Sequence, residues 1–216
     1  MLKSYLFLFL SLLLVSCGNS GGGSSSKAKT QDNKESEVIR SGSSSVPNSA
    51  FTWETNVQFI NFSRDQEDKV QDALELIKKV VASEEFKNQI LNHKYNGKKT
   101  FVDNGGLTNA QIYQRILNSS EKLIPGKNNA MDVTLVTYYD SSNVIGYTLP
   151  TANKIWMNRK YFNNFSPVEV SSNLFHEWLH KLGFTHSFKR TPSRPYSVPY
   201  AIGYLIKSLA RKFDHS

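Results

Sequence analysis

His176-Glu177-Trp178-Leu179-His180-Lys181-Leu182-Gly183-Phe184-Thr185-His186 is the stretch from which the rest of the chain is read. On a helix, residues four apart lie one above the other, so His176 and His180 can aim two imidazoles at one point. Gly183 stands where that helix must stop. A glycine there can adopt the left-handed conformation that reverses the chain and brings His186 back as a third ligand. Three neutral imidazoles leave the fourth tetrahedral position of a zinc ion open to water, as in catalytic rather than structural sites. Glu177 is rotated by about 100° from His176 around the helix, close enough to reach that water without being a ligand, and is the candidate general base. Five such fixed positions recur by chance in on the order of one chain in 10⁵ of this length. The alternative, an amphipathic helix with incidental histidines, must therefore explain three of the five histidines converging on one glycine. His93 and His215 have no such company and are read as ordinary surface histidines.

The string resembles the zinc signature of the metzincin metallopeptidases (astacin-like, adamalysin-like and matrix-metalloproteinase-like enzymes), and the resemblance covers the last two-thirds of the chain. It implies an α+β fold: a twisted mixed sheet of about five strands packed on helices, with a zinc helix and a C-terminal helix. It also implies Zn2+ as cofactor, held by His176, His180 and His186, and hydrolysis of a peptide or protein substrate lying extended across the site. The chain departs from this family after the third histidine, where a methionine-containing turn is expected. Its methionines are Met1, Met131 and Met157, none of them beyond His186. Tyr196-Ser197-Val198-Pro199-Tyr200 stands there instead, with Pro199 in the methionine's place. Some metzincins carry a tyrosine just after the turn whose hydroxyl reaches the metal or the oxyanion. Tyr200 is the candidate for that role, one residue short of the family offset, with a packing role, or Tyr196 or Tyr204, as alternatives. The chain is thus expected to be a divergent, metzincin-like protein.

At the other end, residues 1–17 carry Lys3, an apolar run over 5–15 and the tetrapeptide Leu14-Val15-Ser16-Cys17. The run falls short of the roughly 20 residues a bilayer span needs and suits a secretory signal peptide. Its ending resembles a bacterial lipobox, which implies lipidation of Cys17 and anchoring in the bacterial cell envelope through more than one acyl chain; an incidental cysteine in a simple secreted protein is the alternative. Gly18, rather than Asp, after Cys17 is compatible with outer-membrane sorting. Cys17 is the only cysteine, so no intrachain disulfide can form. Residues 18–50, rich in Ser, Gly, Asn and Lys, cannot bury enough apolar surface to fold and are expected to be a flexible tether. Residues 51–216 suffice for one domain with its own core.

Within that domain, 51–62 reads as a first strand. Ser63 and Gln66 form a capping box for a helix with Val70, Ala73, Leu74, Ile77, Val80 and Val81 on one face. Residues 83–91 suggest a short helix, 98–103 a second strand ending at Asn104-Gly105-Gly106, and Thr108 caps a helix running to about Asn118. Strands are expected over 131–139, 144–149 and 154–158. In metzincins the strand two before the zinc helix is the antiparallel edge on which substrate lies, and 144–149 falls in that place; an ordinary edge hairpin is the alternative. Ser166, Pro167 and Glu169 give the zinc helix a strong start. Trp178 should point to the core, and 201–213 suits a closing helix.

The formal net charge is +8 with a pI near 9.4, but the basic residues are dispersed in pairs and accompany no nucleic-acid-binding motif, so no nucleic acid is expected as a partner. The segment 189–194 could line the cleft and favour acidic side chains. The expected activity is that of a zinc endopeptidase tethered to the membrane. Its rival is a zinc-containing binding or scaffold lipoprotein that is inactive or highly restricted, against which Glu177 argues.

Overall fold

Residues 52–126 and 128–214 are described by the structure, a computed structural model of the chain. The expected signal peptide, Cys17, the tether and His215 lie outside the described residues.

Strand β1 (Glu54–Ile60) buries alternate side chains only partly and pairs in parallel with β2 (Ala130–Tyr138), in the register Glu54 to Ala130 through Ile60 to Val136. On its other side β2 pairs in parallel with β4 (Lys154–Asn158), which in turn pairs antiparallel with the short β3 (Gly146–Thr148). The sheet order is therefore β1-β2-β4-β3, with β3 as an antiparallel edge. The centre strand carries Met131, Val133, Leu135 and Thr137 into the core, while Asp132 and Thr134 on the opposite face stay half-exposed. One face covered and one open is the α+β arrangement.

Helix α1 (Arg64–Val81) buries the predicted stripe, with Leu76 added to it, and Ser63 N–H donates to Gln66 Oε1 at its start (3.0 Å). Helices α2 (Glu84–Leu91) and α3 (Asn109–Asn118) follow; Thr108 and Gln111 satisfy each other's backbone N–H at the head of α3. After β4 comes a short helix not foreseen from the sequence, α4 (Arg159–Phe162), capped by Asn158 Oδ1 on Lys160 N–H (3.1 Å). Then come α5 (Pro167–Lys181) and α6 (Val198–Asp214), which pack on each other and on α1. From α5, Val170, Leu174, Phe175, Trp178 and Leu179 are fully buried. Each such side chain contributes roughly 1.5–3 kcal/mol, so the core alone fixes how this helix is rotated. No helix among the described residues is long and apolar enough to cross a membrane.

Among the described residues the sheet has four strands, not five. Residues 98–103 make only isolated pairings, Tyr95 with Lys98 and Val102 with Ser197. Asn96 and Gly97, both at positive φ, fold the first of these into a tight turn. Phe101 is drawn into the core and stacks on His93 with ring centroids 3.9 Å apart. Val102 N–H donates to Tyr196 O (2.9 Å), so this stretch braces the C-terminal part of the domain rather than the sheet. That also corrects His93. It is not an ordinary surface histidine but a half-buried one whose Nε2 has no protein partner, with a pKa lowered by burial. The strand expected over 144–149 contracts to Gly146–Thr148, leaving Val144, Ile145 and Leu149 exposed.

Candidate metal centre

Helix α5 begins with Ser166 N–H on Glu169 Oε2 (3.2 Å), Glu169 N–H on Ser166 Oγ (3.4 Å) and Pro167 in its first turn. Its far end is a Schellman reversal: Gly183 N–H donates to His180 O (3.0 Å) and Phe184 N–H to Leu179 O (3.1 Å), with Gly183 at φ +94°. Phe184 is buried beside the last turn. The chain then turns back, and His186 brings its Nε2 to 3.2 Å from that of His176.

The three histidines offer ligand atoms that all lie within 4.8 Å of one another. Their other ring nitrogens are occupied by main-chain carbonyls: His180 Nδ1 by Phe184 O (2.8 Å), His186 Nδ1 by Ser187 O (3.1 Å), and His176 by a backbone bond with Pro199. An Nδ1–H donated to a carbonyl fixes the tautomer that leaves Nε2 as a free lone pair. Burial, followed by the neighbouring histidines, lowers the pKa of His176 to about 3. Burial takes that of His180 to about 4 and lowers that of His186. All three are therefore neutral near pH 7, the form that binds metal. The three histidines could hold a metal ion, and the donor set, three converging neutral imidazoles with oriented second nitrogens, fits zinc.

Glu177 is 7% exposed, and burial pushes its carboxyl up to about 7, opposed by the charge of Lys181 one turn on. Lys181 is itself buried, its ammonium donating to Leu149 O (2.9 Å) and Ala152 O. These carbonyls belong to the connection between β3 and β4, so Lys181 pins the edge hairpin to the helix that carries the histidines. The sequence offered a signal for it, an acid and a lysine at i and i+4, but not its partners.

Of the three tyrosines considered, Tyr200 is the one against the histidines, with its ring 4.5 Å from that of His176 and 4.7 Å from that of His186. Its hydroxyl accepts from Arg194 Nη2, and the guanidinium lies 4.6 Å from its ring centre. Burial raises the Tyr200 pKa, with Arg194 opposing. Tyr196 packs instead on Tyr95 and His93, and Tyr204 is exposed beside Tyr200. Pro199 is buried in the first turn of α6, and Gly203, one turn further, lets α6 approach closely: a Cβ there would stand 3.3 Å from His176 Cβ.

Behind the site, Trp178 is in the core as expected and donates from Nε1 to Glu121 Oε1 (2.7 Å), which also accepts from Asp132 N–H (3.1 Å). Burial raises the Glu121 pKa against these two bonds. The link ties α5 to the centre strand, and nothing in the spacing of Glu121 and Trp178 announced it.

A cleft of about 1080 Å³ runs past the histidines between the edge strand β3 and the wall formed by residues 183–194 and α6. Of the basic segment 189–194, Arg190 and Arg194 line it. No protein-family model matches the chain, and no curated protein matches it.

Proposed function

We propose that the chain is a zinc-dependent endopeptidase, a divergent relative of the metzincins. The observation that carries this is the juxtaposition of three converging imidazoles with the buried carboxyl of Glu177, in a cleft bordered by the antiparallel edge strand β3. His176, His180 and His186 would hold zinc, which when bound supplies a Lewis acid for the scissile carbonyl and an acidified water. Glu177 takes the proton from the attacking water onto its carboxylate and returns it to the leaving amine nitrogen, splitting one peptide bond into an acid and an amine. The Tyr200 hydroxyl donates to the carbonyl oxygen as it gains charge. The free edge of β3 pairs with an extended peptide, which places the scissile bond over the histidines. Anchoring in the bacterial envelope through Cys17 is proposed on the sequence of residues 1–17 alone.

The test is to incubate the parent protein and Glu177→Ala with denatured casein and zinc, with and without chelator. Chelator-sensitive degradation by the parent alone is expected. Equal degradation by both removes Glu177 from the mechanism, and none by either favours a zinc-containing binding or scaffold protein.

A further inference from the structure

Arg194 lines the cleft without an ion-pair partner among the described residues. Arg194 carries five N–H donors in a planar fork; Nη2 is spent on the Tyr200 hydroxyl, while Nε is buried and has no partner. The ion pairs among the described residues are Lys78 with Glu75, Lys87 with Glu84, Lys207 with Glu169 and Lys212 with Glu85, so none involves Arg194. Among the other charged groups lining the cleft, the Glu177 carboxyl has Lys181 as its charged neighbour, and Lys122, exposed beside Gly183, makes no ion pair. Lys207 is neutralised by Glu169, and the Lys181 ammonium is taken up by two carbonyls. Glu121 is bonded to Trp178 and the centre strand, and the charge of Asp103 is felt at His186, but neither pairs with Arg194. Arg190, on the same wall and exposed, has no carboxylate partner either. Three cations lining the cleft, Lys122, Arg190 and Arg194, thus lack a carboxylate partner among the described residues, and Arg190 and Arg194 share one wall. Only the Tyr200 ring separates the Arg194 guanidinium from His176 and His186.

From this we infer that Arg194 receives a carboxylate of the substrate close to the bond that is cut, so that the site selects acidic peptides. The inference rests on the peptidase reading for the identity of the ligand as a peptide, though not for the anion site itself. A guanidinium fork takes a carboxylate through two parallel hydrogen bonds; Nε is shielded and Nη2 already donates to Tyr200, so the carboxylate uses the N–H donors these leave. Successive residues of an extended peptide advance about 3.3 Å, so a side chain at or next to the scissile position can reach across one aromatic ring. A glutamate or aspartate side chain and a free C-terminal carboxylate share this chemistry, and the two are separated by experiment.

The probe is a fluorescent peptide set in which one Glu, or the matching Gln, is walked along a neutral chain with an amidated C-terminus; a second set has no acid but a free C-terminus. Binding is read by anisotropy on zinc-loaded and metal-free Glu177→Gln protein, and turnover on the parent. A charge-assisted hydrogen bond implies that Glu binds about ten- to a hundredfold more tightly than Gln at one or two positions. Adding Arg194→Gln should abolish that ratio with little change for the Gln peptide, and Arg194→Lys should keep part of it. Preference for the free C-terminus over its amide would assign the carboxylate to the chain end instead. Equal binding of Glu and Gln peptides by the parent site overturns the inference. So does an Arg194→Gln variant that retains the ratio, or one that slows turnover of every peptide equally, since the arginine would then only position Tyr200. A Glu preference lost in Arg194→Gln, without turnover by the parent, would overturn the peptidase reading and leave the carboxylate site standing.

Discussion

Replacing Glu177 by Gln should make the metal-free protein more stable at pH 8 and leave its stability nearly unchanged at pH 4.5. The Glu177 carboxyl has its ordinary value of 4.5 in the unfolded chain and about 7 in the folded one, because burial disfavours the charged form. Below pH 4.5 both states are protonated and the group is neutral in its effect. As pH rises, the unfolded chain loses its proton first, so folding stability falls until the folded carboxyl also ionises near pH 7. The full penalty, present at pH 8, is about 3 kcal/mol. A glutamine never titrates and escapes it, although the buried amide has its own desolvation cost and Lys181 loses a favourable neighbour, so a net gain of about 1–3 kcal/mol is expected. At roughly 2–4 °C per kcal/mol for a domain of this size, calorimetry in chelator should show the variant melting several degrees above the parent at pH 8. The histidines do not confuse the comparison. His176 and His180, with folded values of about 3 and 4, make both proteins less stable as pH falls below 6.5. Glu177 is not a cause of either shift, so this loss cancels in the difference. A gap between variant and parent that is the same at pH 5 and pH 8, or a parent that is the more stable at pH 8, would refute the reasoning.

Three further perturbations follow from the geometry. Gly183→Ala places a Cβ 2.4 Å from Lys122 Cε at a left-handed φ; the lysine can swing aside, but the backbone penalty of about 1–2 kcal/mol remains, and zinc affinity measured against a chromophoric chelator should drop as His186 is displaced. Lys181→Met leaves the carbonyls of Leu149 and Ala152 without their ammonium donor, costing about 1–3 kcal/mol; amide exchange should accelerate in the β3–β4 hairpin and not in β1. Zinc at a thousandfold over its Kd should stabilise the parent by about 4 kcal/mol, an effect removed by chelator and largely lost in His186→Ala; a melting point indifferent to zinc would count against the metal centre.

What the sequence discloses here is mainly what is local. The capping residues Thr108 and Ser166 act where their spacing places them, Gly183 reverses the chain as its position after the helix demands, and the helical stripe of α1 is buried as its period predicts. Residues 98–103 mislead because composition records a preference for extended backbone but not the presence of a neighbouring strand; Phe101 finds the core and a histidine ring instead. Lys181 and Arg194 belong to the same lesson. Lysine and arginine are ordinarily exposed, and the partners that hold buried Lys181 and half-buried Arg194, a turn about thirty residues earlier and a tyrosine on the following helix, meet them only in the folded chain.

The register of β1 has a consequence for how the protein comes into being. Its partner strand starts 76 residues later, at Ala130 opposite Glu54, and the core is closed by Ile202, Ile206 and Leu209 on the final helix. Contacts this distant in sequence form slowly, after a costly loop closure, so a nascent chain that has just exposed His186 possesses every metal ligand and still lacks the wall that holds them. The domain should remain unfolded until α6 has been synthesised. Removing α6 should disturb the histidine cluster more completely than mutating any one of its three histidines.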